Sequence, residues 1–251
     1  MRSICKRQLK TNINIKYRKF SDFLVHPPQV VKSFFGDITW KINSDEKVIY
    51  LTFDDGPIPN LTEKILKMLD LFNAKATFFC VGDNVRKYPS LYNEILSEGH
   101  STGNHTFSHL SGLNTETKDY LYDIEKASEY IESSLFRPPH GRMKASQQNE
   151  IKKSKEIVLW DVLTFDFNNK LTPEECFGNV KQFGRPGSIV VFHDNIKAEQ
   201  NMIYALSQTL LLYSKAGYKF KALSPELIKS VQSVNNRLPV FASLSNFAFL
   251  F

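Results

Sequence analysis

From residue 47 onward, short apolar runs rich in β-branched and aromatic side chains alternate with longer stretches of helix-like spacing. The runs at 48–53, 76–81, 101–104, 135–137, 157–162, 188–192 and 218–222 predict seven strands. The stretches at about 61–72, 89–98, 115–133, 146–154, 173–183, 199–216 and 225–232 predict the helices between and after them. Asn60 and Ser224-Pro225 stand where helices should start, and Gly99 and Gly217 where they should stop. Strand–helix alternation of this kind predicts parallel strands joined by helical crossovers, an α/β fold curling into a barrel of about seven strands. Residues 1–35 show no clean period and are broken by Pro27-Pro28, so they read as an irregular N-terminal arm. One domain at 36–236 follows, and then an apolar tail at 237–251.

Composition changes this picture little. Hydrophobic residues make up 42% of the 251 and charged residues 23%, as in a globular protein with a sizeable core rather than a disordered or fibrous chain. The net charge of +6 is spread along the chain apart from the segment Arg2 to Lys19, which argues against nucleic acid as a partner. Three cysteines, Cys5, Cys80 and Cys176, are odd in number and far apart, so neither a disulfide framework nor a thiolate metal site is expected. No apolar run reaches the length of a transmembrane helix, and the basic N-terminus lacks the continuous apolar stretch of a secretion signal. These features predict a cytoplasmic protein; the basic arm and apolar tail leave a peripheral association with membrane surfaces open. Oligomeric state is not legible.

The candidate chemistry gathers where the strands end. In parallel α/β barrels the site lies at the C-terminal ends of the strands. Those ends carry Asp54-Asp55, then His105 and His109, then Arg137 to Gly141, then Asp161 and Asp166, then His193-Asp194. Asp54-Asp55-Gly56 alone would be an ordinary turn. With the His105/His109 pair, which a helical turn would bring to face one ion, a carboxylate completes a two-His, one-Asp set suited to a divalent metal. Such a centre suits hydrolysis of an amide or ester, which also needs a base for the attacking water and an acid for the leaving amine. Asp54 and His193 are placed for those two roles.

The ordered blocks Thr52-Phe53-Asp54-Asp55-Gly56-Pro57, His105-Thr106-Phe107-Ser108-His109, Arg137-Pro138-Pro139-His140-Gly141, Asp166-Phe167 and Val191-Phe192-His193 resemble the polysaccharide deacetylase family, the NodB-homology group of carbohydrate esterases. The resemblance spans about residues 47–223. It implies a distorted (β/α) barrel with fewer than eight strands, and an enzyme that removes N-acetyl groups from sugar residues of an oligo- or polysaccharide and releases acetate. By position it implies Asp54 as general base, His193 as general acid, and Asp55, His105 and His109 as ligands of a divalent metal. Zinc is expected first, with cobalt or nickel as alternatives. Arg137 would hold and tune Asp54, Asp166 would orient His193 and favour its imidazolium form, and the backbone N–H of His140 would help stabilise the oxyanion.

Three positions depart from the family pattern: His140 stands in place of Tyr, Phe167 in place of Trp and Val191 in place of Leu. All three are expected to line the substrate groove or acetyl pocket. An Asp that often precedes the Asp-Trp pair is Leu163 here, while Asp161 lies two positions upstream and is open to a tuning role or a purely local one. Two other functions remain: a hydrolase of a small non-sugar amide or formamide on the same fold, and a non-catalytic carbohydrate-binding barrel. A phosphatase reading of the carboxylates fails on spacing, because aspartate-nucleophile enzymes place their two acids one residue apart.

Overall fold

The computed structural model of the chain describes residues 24–35 and 38–235. Its strands are β1 (Ile38–Thr39), β2 (Val48–Asp54), β3 (Thr77–Cys80), β4 (Ser101–Asn104), β5 (Leu135–Phe136), β6 (Glu156–Val158), β7 (Val162–Leu163), β8 (Ile189–His193) and β9 (Lys219–Phe220). Its helices are α1 (Gln29–Phe34), α2 (Leu61–Asp70), α3 (Gly82–Lys87), α4 (Pro89–Ser97), α5 (Thr117–Ser128), α6 (Ala145–Ile151), α7 (Pro173–Phe183), α8 (Glu199–Lys215) and α9 (Pro225–Asn235). The strands pair in the order β1-β6-β5-β4-β3-β2-β8-β7, with β9 beside the start of β2. Every ladder between these strands is parallel. The expected α/β barrel is therefore present, distorted and built from short strands.

All seven residues of β2 are buried, because it has neighbours on both edges and is covered on both faces. Period-two geometry then sorts its side chains. Ile49, Leu51 and Phe53 pack outward against the helices, in one cluster with Ile65 and Leu69 of α2 and Met202, Leu206 and Leu210 of α8. Val48 and Tyr50 point the other way, packing with Phe79, Leu135, Val158 and Ile189 inside the barrel. Phe53 stacks on Phe78 and Phe192 of the flanking strands at 5.0 and 5.6 Å between centroids. The same alternation carries Thr52 and Asp54 inward, at the end of the barrel where the chemistry collects.

The barrel closes through loop backbone rather than through a ladder. The run expected as one strand at 157–162 is split into β6, which lies next to the end strand β1, and β7, which is the opposite end of the strand order. Residues 159–161 cross between them: Leu159 N–H donates to Thr39 O and Asp161 N–H to Ile189 O, both at 2.9 Å. Beside the crossing, Ile42 N–H donates to Gly187 O at 2.9 Å, and Lys41 forms an antiparallel bridge with Ser188. Gly187 adopts a φ of +81°, and a Cβ there would lie 1.8 Å from the Ile42 carbonyl oxygen, so the seam requires glycine.

The structure extends the sequence-based picture in three further places. β1 and α3 were not expected; β1, together with the split of the 157–162 run, gives nine strands among the described residues rather than seven. The expected helix at 115–133 ends at Ser128. Residues 24–35, assigned to an irregular arm, include α1, and Val25 and Val31 are buried. Lys32 of α1 pairs with the buried Asp161 carboxylate, His26 Nδ1 donates to Asp161 O at 2.7 Å, and Leu24 O accepts from Trp160 Nε1 at 3.0 Å. The rest of the arm, Cys5 and the tail at 237–251 lie outside the described residues. Cys80 and Cys176 are buried free thiols, and among the described residues no helix is long and apolar enough to cross a membrane.

Candidate active site

Strand register determines which side chains meet. Asp54 lies level with Phe79 on one side and with His193 on the other, and Cys80 is level with Asn104, which is level with Phe136. The residues just past these positions, Asp55, His105 and Arg137, therefore emerge around one mouth.

Arg137 is fully buried across the interior of the barrel. Its Nη1 donates to Asp54 Oδ1 at 2.7 Å and to Thr52 Oγ1 at 2.8 Å, Nε to Val158 O at 3.1 Å, and Nη2 to Leu159 O at 3.0 Å. The guanidinium also lies 4.0 Å over the Phe79 ring. A planar fork suits this position because it can satisfy two carbonyls, a hydroxyl and a carboxylate at once. Burial works against the charge and lowers its pKa, while Asp54 opposes that shift.

Asp55 sits at a φ of +83° just beyond β2, which turns its carboxylate away from that of Asp54. Its Oδ1 lies 3.1 Å from His109 Nε2 and 3.6 Å from His105 Nε2. Donor atoms from the three residues all lie within 4.8 Å of one another, as expected of a set that can surround one ion. His105 Nδ1 donates to Arg137 O at 2.7 Å, and since a carbonyl can only accept, Nε2 is left as the lone-pair face. Burial pushes His105 down to about 4, keeping it neutral and able to ligate. Burial raises the Asp55 pKa, but the contact with His109 and the charges of His193 and His105 outweigh it and hold the acid well below the usual carboxylate range.

The two histidines are not brought together by a helical turn. Residues 105–109 form a loop in which Thr106 and His109 have φ values of +63° and +55°. Asp123 of α5 holds that loop: its Oδ2 accepts from Phe107 and Ser108 N–H, both at 2.9 Å, and its Oδ1 accepts from Ser108 Oγ at 3.0 Å. Sequence reasoning passed over Asp123, whose setting within a polar helical stretch looks like an ordinary solvated face.

On the other side of the mouth, His193 Nδ1 meets Asp166 Oδ1 at 2.7 Å. Burial would push the His193 imidazole down, but the Asp166 carboxylate prevails and raises it to about 9. Phe167 is 41% exposed and meets the His193 ring edge to face at 4.7 Å. His140 stands exposed on the turn Pro139–Gly141 with a φ of +61°, its ring edge-on to His109 at 4.9 Å. Val191, expected at the groove, is fully buried and packs with Trp160 and Leu163 on the strand face it shares with His193.

Two acids near the motifs have structural settings. Asp161 does not reach this mouth: it lies beside Ile189, at the opposite end of β8 from His193, ringed by Lys32, Arg185 and Ser188. Asp194 is buried under the Asp54–Gly56 turn, donating its N–H to Asp54 O at 2.8 Å and accepting from Thr62 Oγ1 at 2.5 Å. Burial raises its pKa to about 8.

A family model described as polysaccharide deacetylase matches residues 41–156. A peptidoglycan-N-acetylglucosamine deacetylase of Bacillus cereus is 34% identical over 202 residues, covering 77% of this chain and 94% of that protein. A chitooligosaccharide deacetylase of Azorhizobium caulinodans is 30% identical over 168 residues, covering 64% of this chain and 80% of that protein. The crystal structure of the Bc1960 peptidoglycan N-acetylglucosamine deacetylase superposes with a TM-score of 0.72 at 29% identity, over 77% of this chain and 93% of that one. On this sequence likeness, carried on the same barrel, the chain belongs to the polysaccharide deacetylase family of enzymes.

Proposed function

We propose that the protein removes N-acetyl groups from N-acetylated sugar residues of a glycan, releasing acetate, and that it uses a divalent metal held by Asp55, His105 and His109. One observation carries the reading: a clustered Asp–His–His donor set stands between an Arg-paired carboxylate, Asp54, and an Asp-paired imidazole, His193. The donor set suits zinc first, with cobalt or nickel as alternatives, because imidazoles and a carboxylate are their customary ligands. Bound there, the ion would supply Lewis-acid polarisation of the amide carbonyl.

The chain's own residues do the rest. Asp54, fixed by Arg137, accepts a proton from the attacking water. His193, kept protonated by Asp166, gives a proton to the departing sugar nitrogen. The backbone N–H of His140 is assigned to the developing oxyanion, a role independent of its side chain. The exposed Phe167 and His140 rings form the rim that a sugar would cross. N-acetylglucosamine in a peptidoglycan-type glycan is the proposed substrate, supported by the activities for which the Bacillus cereus relative and the Bc1960 enzyme are named.

The test is acetate release from peptidoglycan fragments, chitooligosaccharides and small N-acyl amides, with zinc or cobalt and with chelator. Chelator-sensitive release from the glycans supports the reading. Folded, metal-loaded protein inactive on every glycan but active on a small amide would replace the substrate, and inactivity on all would overturn the reading.

A further inference from the structure

Asp55 is fastened from both neighbouring strands. Asn84 Nδ2, from α3 after β3, donates to the Asp55 backbone carbonyl at 2.8 Å, and Asn195 Nδ2, from the loop after β8, donates to Asp55 Oδ2 at 2.7 Å. Asn195 has no freedom in how it presents that amide. Its Oδ1 already accepts the N–H groups of Lys197 and Ala198 at 2.9 and 3.2 Å, so the NH₂ end is the one that must face Asp55. Oδ2 is thus engaged by the Asn195 amide, while Oδ1 is the oxygen turned toward His109 and His105.

From this geometry we infer that Asn195 is a positioning residue that restricts Asp55 to offering a single oxygen, Oδ1, to the metal. The inference rests on the proposed metal reading of this site. Its chemical consequence concerns coordination. One oxygen and two imidazole nitrogens leave a tetrahedral ion one open position for a reactant, whereas a carboxylate binding through both oxygens would take up that position. Hydrogen bonds to metal-ligating groups of this kind are worth about 10–100-fold in metal affinity. Asn84 complements Asn195 by holding the backbone of Asp55 at its positive φ, so the side chain starts from a fixed root.

Asn195 also caps its own turn, and the experiment separates the two jobs. Asn195→Ser and Asn195→Thr keep a side-chain oxygen that can accept the Lys197 and Ala198 N–H groups but are too short to reach Asp55. Zinc and cobalt dissociation constants are measured by chelator competition for wild type and both variants, with the visible absorption of the cobalt forms and the Tm of the metal-free proteins. The expected result is metal affinity about 10–100-fold weaker, a cobalt spectrum shifted toward higher coordination number, and metal-free Tm values close to wild type. Affinity within twofold of wild type and an unchanged cobalt spectrum in either folded variant would overturn the inference while leaving the metal reading intact. Failure of wild type itself to bind either metal would overturn the metal reading and this inference with it.

Discussion

Asp166 grips His193 at two points: Oδ1 meets the ring Nδ1 at 2.7 Å, and Oδ2 accepts the His193 backbone N–H at 2.8 Å. The first contact favours the imidazolium and the second fixes where the ring starts, so Nε2 is the nitrogen left for the mouth. The folded pKa is raised from 6.5 to about 9, so the proton is retained through neutral pH. The pairing's contribution to stability is fully present below about 6.5 and is lost as pH rises through about 9. In the wild type, kcat/KM should fall above about pH 9 as His193 loses its proton. Asp166→Asn should move that alkaline limb to lower pH, because burial is then opposed only by the smaller effects of the Asp55 and Asp54 charges. A pH–rate profile with an unmoved limb would remove His193 from the role of acid.

Asp54 and Asp55 are adjacent in sequence but face different partners, and substitution should separate them. Asp54→Asn should lower kcat by about 10²–10⁴-fold while metal affinity stays near wild type. Asp55→Asn should instead release the metal. Elemental analysis after dialysis, set beside turnover, checks both; metal loss from the Asp54 variant would overturn the division of roles.

Arg137 makes four hydrogen bonds in a place water does not reach. Arg137→Met leaves the Asp54 carboxylate buried without its counter-charge and should cost about 3–5 kcal/mol in urea unfolding. Arg137→Lys should recover only part of this, since one ammonium cannot serve Val158 O, Leu159 O, Thr52 and Asp54 together. Full recovery by lysine would mean that charge alone, and not the fork, is what the barrel needs.

Asp161 lies far along β8 from the reacting groups, so its variants should affect stability rather than turnover. Burial raises its pKa, but Lys32 and its other partners lower it overall. The stability it contributes is therefore present above its unfolded value of about 3.8 and is lost as pH falls through the lower folded value. Lys32→Met and Asp161→Asn should each lower Tm and shift acid unfolding, with kcat within about twofold of wild type. A tenfold loss of kcat at unchanged Tm would restore the tuning role left open by its place two positions upstream of Leu163.

Much of this was legible in the chain because barrel strands deliver their C-terminal residues to one place. Asp54, Asp55, His105, His109, Arg137, Asp166 and His193 do converge there, each in or just past the C-terminal end of a strand. The parts that were not legible share physical causes. β1 and β7 are two residues long and carry no period to detect. The break at 159–161 lies inside an apolar run because the crossing segment is as buried as a strand. Asp123 and Asn195 act through side-chain hydrogen bonds to loops distant in sequence, and no local spacing marks a polar residue in a helix or turn as a support for something distant. Val191 matched a motif, and it is fully buried against Trp160 and Leu163.

The central place of β2 has a kinetic consequence. Its contact with β8 joins Thr52 to Val190, 138 positions apart, and the same ladder brings Asp54 level with His193. Contacts of such long range must overcome the entropy of closing the whole intervening loop before they return any stabilisation, which makes this topology slow to fold. The base and the acid therefore come into register only when that late pairing is made. A partly folded chain can already have β2, β3 and β4 paired in that order, and so Asp55 near His105, while still lacking the acid. During refolding, metal uptake should precede the recovery of turnover, and the interval between them would time the closure of the barrel.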